Sequence, residues 1–355
     1  MDCKKCGKSI NKLFIKICST SRGFGGAARS WTTIIKLLLK QGHKVEFIPF
    51  RNSVSSKEIR FILDNELSDT IVTENYDTIN EHCDVFFMYA DDYIWEFTRP
   101  DISDIFSGIN ADKKVMAINY RRGKAGEIEW TRNWDSYLFL NPTQERDFLV
   151  AHGRDVHTKS MAPCTDLSPF FPIQPNYNTN LRIVRHSSQG DVKFYKSDSD
   201  ADINKVNQDQ VRDFYNKLLA TRPDLTIDML PGPSFIEPSE RFRKHPRTAA
   251  TGKIAEFLSL GNIFEYRVPK LYQDMGPRVI MESMSSGIPV IANKGSGGAD
   301  ARITPETGWL CSSDEEYINI IKNVTFEELK KKGEAAKERA RTEFVPERWI
   351  EEILE

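Results

Sequence analysis

Four consecutive segments near the start of the chain follow the order strand, glycine-rich turn, helix and strand. LFIKICSTS is apolar and β-branched, RGFGGAARS is a glycine-rich turn, WTTIIKLLLKQ has helical periodicity, and HKVEFIPF is again apolar. A strand, a crossover helix and a second strand in this order form a βαβ unit, so the sequence predicts an open, doubly wound α/β domain. Further buried parallel strands are predicted at four apolar runs: DTIVT, DVFFMYA, KVMAINY and SYLFLN.

The same alternation resumes in the second half of the chain, after a proline-rich segment, CTDLSPFFPIQPNYNTN, that suits a linker. A chain of 355 residues is long enough for two cores of ordinary size. We therefore predict two Rossmann-like doubly wound domains that face each other across a cleft. The amphipathic ending PERWIEEILE is expected to pack back on the N-terminal domain. The predicted boundaries are 1–172 for the N-terminal domain, 173–180 for the linker, 181–340 for the C-terminal domain and 341–355 for the C-terminal helix.

Composition excludes several classes of protein. The 49 Lys and Arg against 51 Asp and Glu give a net charge of −2, so no global field attracts nucleic acid or an anionic membrane. No apolar run reaches the roughly 18 residues of a membrane span, and no signal-peptide pattern follows the start, so we expect a cytoplasmic protein. Six scattered cysteines do not suggest a disulfide framework. Cys3 and Cys6 form one CxxC, but a structural zinc site needs a second pair of ligands, and we predict no metal.

The segment DMGPRVIME carries the clearest chemistry. A strand-like lead-in ends at Asp274, a Met-Gly-Pro turn follows, and a helix is predicted from Arg278 with Glu282 one turn in. The unpaired N–H groups and partial positive charge of a helix N-terminus suit a phosphate. Carboxylates accept hydrogen bonds from vicinal hydroxyls. The segment therefore predicts a site for a polyhydroxylated, phosphorylated ligand.

Here the sequence resembles the retaining GT-B glycosyltransferases, family 4-like, which carry two glutamates separated by seven residues in this region. Asp274 and Glu282 have that spacing, and the downstream SMSSGIPVIANKGSGGAD is similar to the family's helix, strand and glycine loop. The resemblance implies that Asp274 contacts the donor sugar, Gly276 and Arg278 offer backbone amides, and Glu282 holds the nucleotide ribose. Here the first acid is Asp, and Pro277 lacks a backbone donor, so the resemblance does not fix the sugar.

The resemblance also implies the activity. The chain is expected to transfer a sugar from a nucleoside-diphosphate sugar, a UDP-sugar, to an acceptor hydroxyl with retention at the anomeric carbon. The nucleotide sugar is a co-substrate, and neither a cofactor nor a metal is required. The acceptor is expected in the N-terminal domain and the donor in the C-terminal domain.

A basic loop, RHSSQGDVK, directly follows the first predicted strand of the second domain. A guanidinium fork and an ammonium at a strand's carboxyl end can neutralise a diphosphate leaving group, which predicts donor-binding roles for Arg185 and Lys193. The family places an Arg and a Lys in this loop. The alternative is a solvated basic loop. His186 could contact the ligand or could be a buried core imidazole.

The first glycine loop, RGFGGAARS, allows a ligand to approach the backbone closely at Gly25 and Gly26. Its spacing is not GxGxxG, and Phe50 and Arg51 stand where a nicotinamide-binding fold would place an acid, so such a cofactor is disfavoured. In the resembling family this loop closes over the donor phosphates.

Asp91 and Asp92 follow the predicted strand DVFFMYA, in a region where the family often has a histidine. A carboxylate there could orient the acceptor hydroxyl or accept its proton, so both are catalytic candidates. The alternative is a solvated or helix-capping pair.

Acceptor binding is predicted at YRRGKAGEIEWTRNW, through Arg121, Arg122 and Trp130. Basic residues with interleaved aromatics could follow a phosphate backbone and stack on a base, or stack on sugar rings. The acceptor is therefore a glycan, a lipid-linked sugar or 5-hydroxymethylcytosine in viral DNA, although the overall charge argues against DNA. Two other functions remain open: a nucleotide-sugar epimerase and a non-catalytic nucleotide-sugar binder.

Overall fold

The structure is a computed structural model that divides into two compact units. The first comprises Met1–Phe139, Gln144–Cys164 and Pro346–Glu355, and the second comprises Leu140–Thr143 and Thr165–Val345. The boundaries predicted from sequence at 173–180 and 341 stay predictions. The structure describes residues 12–19, 25–49, 57–73, 76–90, 104, 106–119, 134–152, 156–187, 191–195, 201–248, 250–269 and 274–355.

The first unit is built on a parallel sheet of seven strands in the order β3-β2-β1-β4-β5-β6-β7. Its central strands are buried on both faces, which explains their continuous apolar sequences. The strands are β1 Phe14–Ser19, β2 Lys44–Pro49, β3 Ile71–Val72, β4 Cys83–Ala90, β5 Ala111–Ile118, β6 Ser136–Phe139 and β7 His157–Ser160. The helices are α1 Gly26–Lys40, α2 Lys57–Asn65 and α3 Pro142–His152.

The last helix of the chain, α10 (Glu347–Leu354), belongs to the first unit. Its Trp349 is buried, and the indole Nε1 donates to the carbonyl of Ala162 at 2.8 Å. The Trp349 ring also lies 6.4 Å from the ring of Tyr89 on β4. The carboxylate of Glu352 pairs with the ammonium of Lys159 on β7. These contacts confirm that the C-terminal helix packs back on the N-terminal domain.

The second unit is built on a parallel sheet of six strands in the order β10-β9-β8-β11-β12-β13. The strands are β8 Arg182–His186, β9 Thr226–Leu230, β10 Phe242–Lys244, β11 Ile263–Tyr266, β12 Val290–Asn293 and β13 Gly308–Cys311. The helices are α4 Ala201–Thr221, α5 Thr251–Leu258, α6 Arg278–Ser285, α7 Gly298–Arg302, α8 Asp314–Asn323 and α9 Phe326–Glu343. The order places β8 at the centre with β9 and β11 beside it. Loops that follow these strands therefore meet at one edge of the sheet.

None of the helices in the described ranges is long and apolar enough to cross a membrane. The four cysteines within those ranges are buried thiols without disulfides: Cys18, Cys83, Cys164 and Cys311.

Candidate functional site

The turn before α6 is fixed by a short parallel pairing with the loop before α7. The amide of Asp274 donates to the carbonyl of Ser296 at 3.1 Å, and the carbonyl of Asp274 accepts from the amide of Gly298 at 2.8 Å. Helix α6 then begins at Arg278, after Pro277, and no side chain from the described residues caps its N-terminus. The helix end predicted from DMGPRVIME is therefore present, and its dipole points into the turn.

Three glycines let the loop before α7 lie against this turn. Gly295 and Gly297 have left-handed φ angles of +86° and +82°, which favour glycine. The carboxylate of Asp300 accepts from both of their amides, at 2.9 Å and 3.0 Å. A Cβ on Gly298 would lie 2.4 Å from the carbonyl oxygen of Met275, inside van der Waals contact. The glycine loop thus supports the backbone on which Asp274 stands.

The carboxylate of Asp274 lies among cationic and hydroxyl donors. Its Oδ2 accepts from the hydroxyl of Tyr266 at 2.6 Å and from the ammonium of Lys193. Burial acts to raise its pKa, but the charge and hydrogen bond of Lys193, the hydroxyl of Tyr266 and the charge of Arg278 together hold the pKa below the usual 3.8. Asp274 is therefore ionised at neutral pH and faces a cation.

Lys193 ends a short 3₁₀ helix, Asp191–Lys193, that follows β8. At the start of this helix, the carboxylate of Asp191 accepts from the amide of Ser234 at 2.7 Å. Phe194, the residue after Lys193, is buried in the core of the unit. Lys193 itself is about nine-tenths buried. The backbone around Lys193 is thus anchored at both ends, while its ammonium reaches Asp274.

Arg185, near the end of β8, is buried with 2% of its surface exposed. Its Nη1 donates to Glu265 at 3.2 Å and to the carbonyl of Arg267 at 2.6 Å, and its Nη2 donates to the carbonyl of Lys193 at 2.7 Å. The guanidinium also lies 3.9 Å from the centre of the Phe194 ring. The structure thus brings Arg185 and Lys193 together, with the Arg185 fork bonded to protein groups.

Glu282 lies on α6 and is buried beside His186, the last residue of β8. Glu282 Oε2 and His186 Nε2 are 2.9 Å apart. The His186 ring meets Phe264 of β11 edge-on at 5.7 Å. His186 is therefore a buried imidazole beside a candidate ligand-binding carboxylate, and its own contact with a ligand stays a prediction.

Several solved structures are similar in fold to this chain. HepE from Anabaena, in complex with UDP, is 15% identical, the match covers 96% of this chain and 99% of HepE, and the TM-score is 0.71. A glycosyltransferase from Rickettsia africae is 15% identical over 97% of this chain and 99% of its own, with a TM-score of 0.67. The lipopolysaccharide outer core galactosyltransferase WaaB is 12% identical over 96% and 98%, with a TM-score of 0.68.

This protein has the GT-B fold. The similarity to these structures spans nearly the whole of each chain, and both parallel sheets with their flanking helices are present. It confirms the predicted fold class of two Rossmann-like α/β domains. Neither a model of a protein family nor a curated protein sequence matches the chain.

Within the second Rossmann-like unit of this GT-B chain, two residues of the candidate site, Tyr266 and Arg302, were not predicted from the sequence. Tyr266, at the end of β11, donates to Asp274, and nothing in the run IFEYRV sets it apart from a core tyrosine. Arg302 is buried at the end of α7, where Nη1 donates to the carbonyl of Gly298 at 2.6 Å. Burial lowers the pKa of Arg302 to about 10, against the opposing charge of Asp274. Arg302 therefore adds positive charge behind the glycine loop.

Gly25 and Gly26 lie at the start of α1 in the first unit, where Gly25 precedes the helix and Gly26 is its first residue. A Cβ on Gly25 would meet no atom of the described residues within 4 Å. Their predicted contact with donor phosphates stays a prediction.

The remaining predicted residues, Asp91, Asp92, Arg121, Arg122 and Trp130, lie outside the described residues, and so do Cys3 and Cys6. Within the described part of the GT-B chain, no group of three or more His, Cys, Asp or Glu side chains could hold a metal ion.

Proposed function

We propose that this protein is a retaining glycosyltransferase that transfers a sugar from a UDP-sugar to a hydroxyl of a glycan or another hydroxylated acceptor. The observation that carries the proposal is the grouping around one helix N-terminus in the second unit: Asp274 before it, Glu282 one turn inside it, and the Lys193 ammonium on Asp274. Among structures with the same fold, HepE has been solved with UDP-glucose, and WaaB is described as a galactosyltransferase.

Each group has a role that suits a nucleotide sugar. Lys193 and the N-terminus of α6 can balance the diphosphate, so no metal ion is required in the proposal. Asp274 and the amides of Gly276 and Arg278 bind sugar hydroxyls. Glu282, with His186 beside it, accepts hydrogen bonds from the ribose hydroxyls.

The proposed chemistry needs no protein nucleophile. The bond between the anomeric carbon and the β-phosphate oxygen breaks while the acceptor oxygen bonds to the same face of that carbon. The acceptor proton passes to the departing phosphate. The protein supplies alignment and charge stabilisation. The acceptor side is proposed at Asp91 and Asp92 for orientation of the hydroxyl, and at Arg121, Arg122 and Trp130 for binding.

A donor and acceptor screen tests the proposal. The protein is incubated with UDP-, GDP-, ADP- and dTDP-sugars, alone or with glycans, lipid-linked sugars or DNA containing 5-hydroxymethylcytosine, and release of the nucleotide is measured. We expect release of UDP that depends on an acceptor, and a product with the anomeric configuration of the donor. Conversion of the sugar without any acceptor would instead identify an epimerase. Nucleotide binding without turnover across the whole screen would identify a non-catalytic binder.

A further inference from the structure

The side chain of Arg185 lies inside the core of the second unit. Its neighbour Glu265, on β11, is fully buried and accepts from the hydroxyl of Tyr215 on α4 at 2.7 Å as well as from Arg185. Burial raises the pKa of Glu265, and the charge of Arg185 opposes that shift. Arg185 therefore hydrogen-bonds this buried carboxylate and opposes the effect of burial on its pKa, as the charge of Arg267 also does.

Moving the Arg185 guanidinium to a bound phosphate would break these contacts. It would remove the bonds to Glu265, to the carbonyl of Arg267 and to the carbonyl of Lys193, and would separate the buried Glu265 from its ion-pair partner. Separating one partner from a buried ion pair is among the most destabilising changes a core can undergo. The geometry thus disfavours direct contact between Arg185 and the donor.

The same guanidinium holds the backbone of the residue that reaches the site. Nη2 of Arg185 donates to the carbonyl of Lys193, and the Lys193 ammonium bonds Asp274. The guanidinium carbon of Arg185 also lies 3.9 Å from the ring centre of Phe194, the residue after Lys193. One hydrogen bond to Lys193 and one ring contact to Phe194 therefore tie two consecutive residues of this segment to the same guanidinium.

We infer that Arg185 is a positioning residue that acts on the donor diphosphate only through Lys193. The inference rests on the proposed function for the diphosphate, but the positioning itself is a property of the protein without ligand. It predicts that loss of Arg185 loosens the segment 191–195 and weakens only those donor contacts that Lys193 makes.

Hydrogen–deuterium exchange of the unliganded protein tests the positioning. The variant carries both Arg185→Met and Glu265→Gln, so that no charge is left buried alone and the glutamine carbonyl can still accept from Tyr215. We expect faster exchange of the amides at 191–195. The matched control is Arg182→Met, which breaks another ion pair from the same strand, between the partly exposed Arg182 and the buried Asp228 at 2.7 Å. Unchanged exchange at 191–195, or equal acceleration in the control, would overturn the inference.

Equilibrium binding of UDP and UMP tests whether Arg185 affects the second phosphate only through Lys193. The preference for UDP over UMP reports contacts to the second phosphate. We expect Lys193→Met and the Arg185→Met/Glu265→Gln pair each to reduce that preference about 10-fold or more, the range of a charge-assisted hydrogen bond. Combining all three substitutions should give no further loss, because both changes remove the same contact.

An additive loss in the combined variant would mean that Arg185 contacts the phosphate itself and would overturn the inference. A preference unchanged in the Arg185→Met/Glu265→Gln pair would overturn it as well. A wild-type protein that binds neither nucleotide would instead refute the proposed function, and the exchange measurement would still decide the positioning.

Discussion

The ionised form of Asp274 is stabilised by donors from two separate segments of the chain. Tyr266 ends β11, and Lys193 follows β8, yet both side chains meet Asp274 Oδ2. A carboxylate buried without them would favour its neutral form, because burial is the largest single influence on its pKa. The ion pair also holds Lys193 beside the N-terminus of α6, where we propose that the diphosphate binds.

This balance predicts a pH dependence for Asp274. Its folded-state pKa is lowered below 3.8, so the stabilisation from its charge is fully present above the unfolded value and is lost as the pH falls through the folded value. In an NMR titration of the carboxyl carbon, Asp274 should stay ionised at pH 4.5. In Lys193→Met, burial should dominate, and the midpoint should rise. A wild-type midpoint above 3.8 would contradict this description of the site.

Glu282 gives a second prediction at the scale of one residue. Glu282→Gln keeps the shape but loses the charge, so binding of UDP should weaken about 10-fold or more, the range of a hydrogen bond to a charged group. Binding of a deoxyribose analogue without the 2′-hydroxyl should change less. Calorimetry with UDP and with the deoxyribose analogue measures how much affinity each loses in Glu282→Gln. The control is Glu338→Gln on the exposed face of α9, which should bind as the wild type does. Equal losses for the two nucleotides would exclude ribose recognition by Glu282.

The sequence predicts only part of this site. The spacing of Asp274 and Glu282 is visible because both lie on one short segment around a helix start. Tyr266 and Arg302 come from other segments, and no local pattern distinguishes them from ordinary core residues. The basic loop indicated that Arg185 and Lys193 lie together, but only the fold shows that the Arg185 fork is bonded to Glu265.

At the scale of elements, the loop before α7 determines the shape of the turn before α6. Gly298→Ala should be destabilising, because its Cβ would lie 2.4 Å from one backbone oxygen and 2.7 Å from another. The expected loss is about 1–3 kcal/mol, typical of overpacking, with weaker UDP binding. Urea unfolding measures the loss of stability, and calorimetry measures the weaker binding of UDP.

Gly252→Ala provides the matched control. Gly252 lies in the first turn of α5, and a Cβ there would meet no atom from the described part of the chain within 4 Å. Alanine also has the higher helix propensity, so the control should be neutral or slightly stabilising. If Gly298→Ala were as stable as Gly252→Ala, the loop would not pack as described.

Apolar runs predicted the central strands of both sheets because these strands are buried on both faces. Edge strands were harder to predict. β7 has the sequence HTKS, alternates between exposed and half-buried residues and was not predicted. β3 was predicted from DTIVT as a buried strand, but it has only two residues, and Ile71 is exposed. Such strands form because the neighbouring strand offers unpaired backbone groups, a cause that lies outside their own sequence.

At the scale of the whole molecule, both ends of the chain contribute to the first unit. Trp349→Ala should lower the stability of that unit by about 3–5 kcal/mol, since it empties a buried site and removes the hydrogen bond to Ala162. The second unit should keep its stability. Urea unfolding followed by hydrogen exchange in each unit measures the stability of the two units separately. Equal destabilisation of both units would contradict the division of the chain described above.

The most direct test of the proposed donor site is a structure of the protein with UDP bound. The diphosphate should lie within hydrogen-bond distance of the Lys193 ammonium and the N-terminus of α6, and the ribose hydroxyls should lie on the carboxylate of Glu282. The Arg185 guanidinium should keep its bonds to Glu265 and to the carbonyl of Lys193. UDP bound elsewhere, with Asp274 and Lys193 still paired and Glu282 without contact to the ribose, would contradict the assignment of this site.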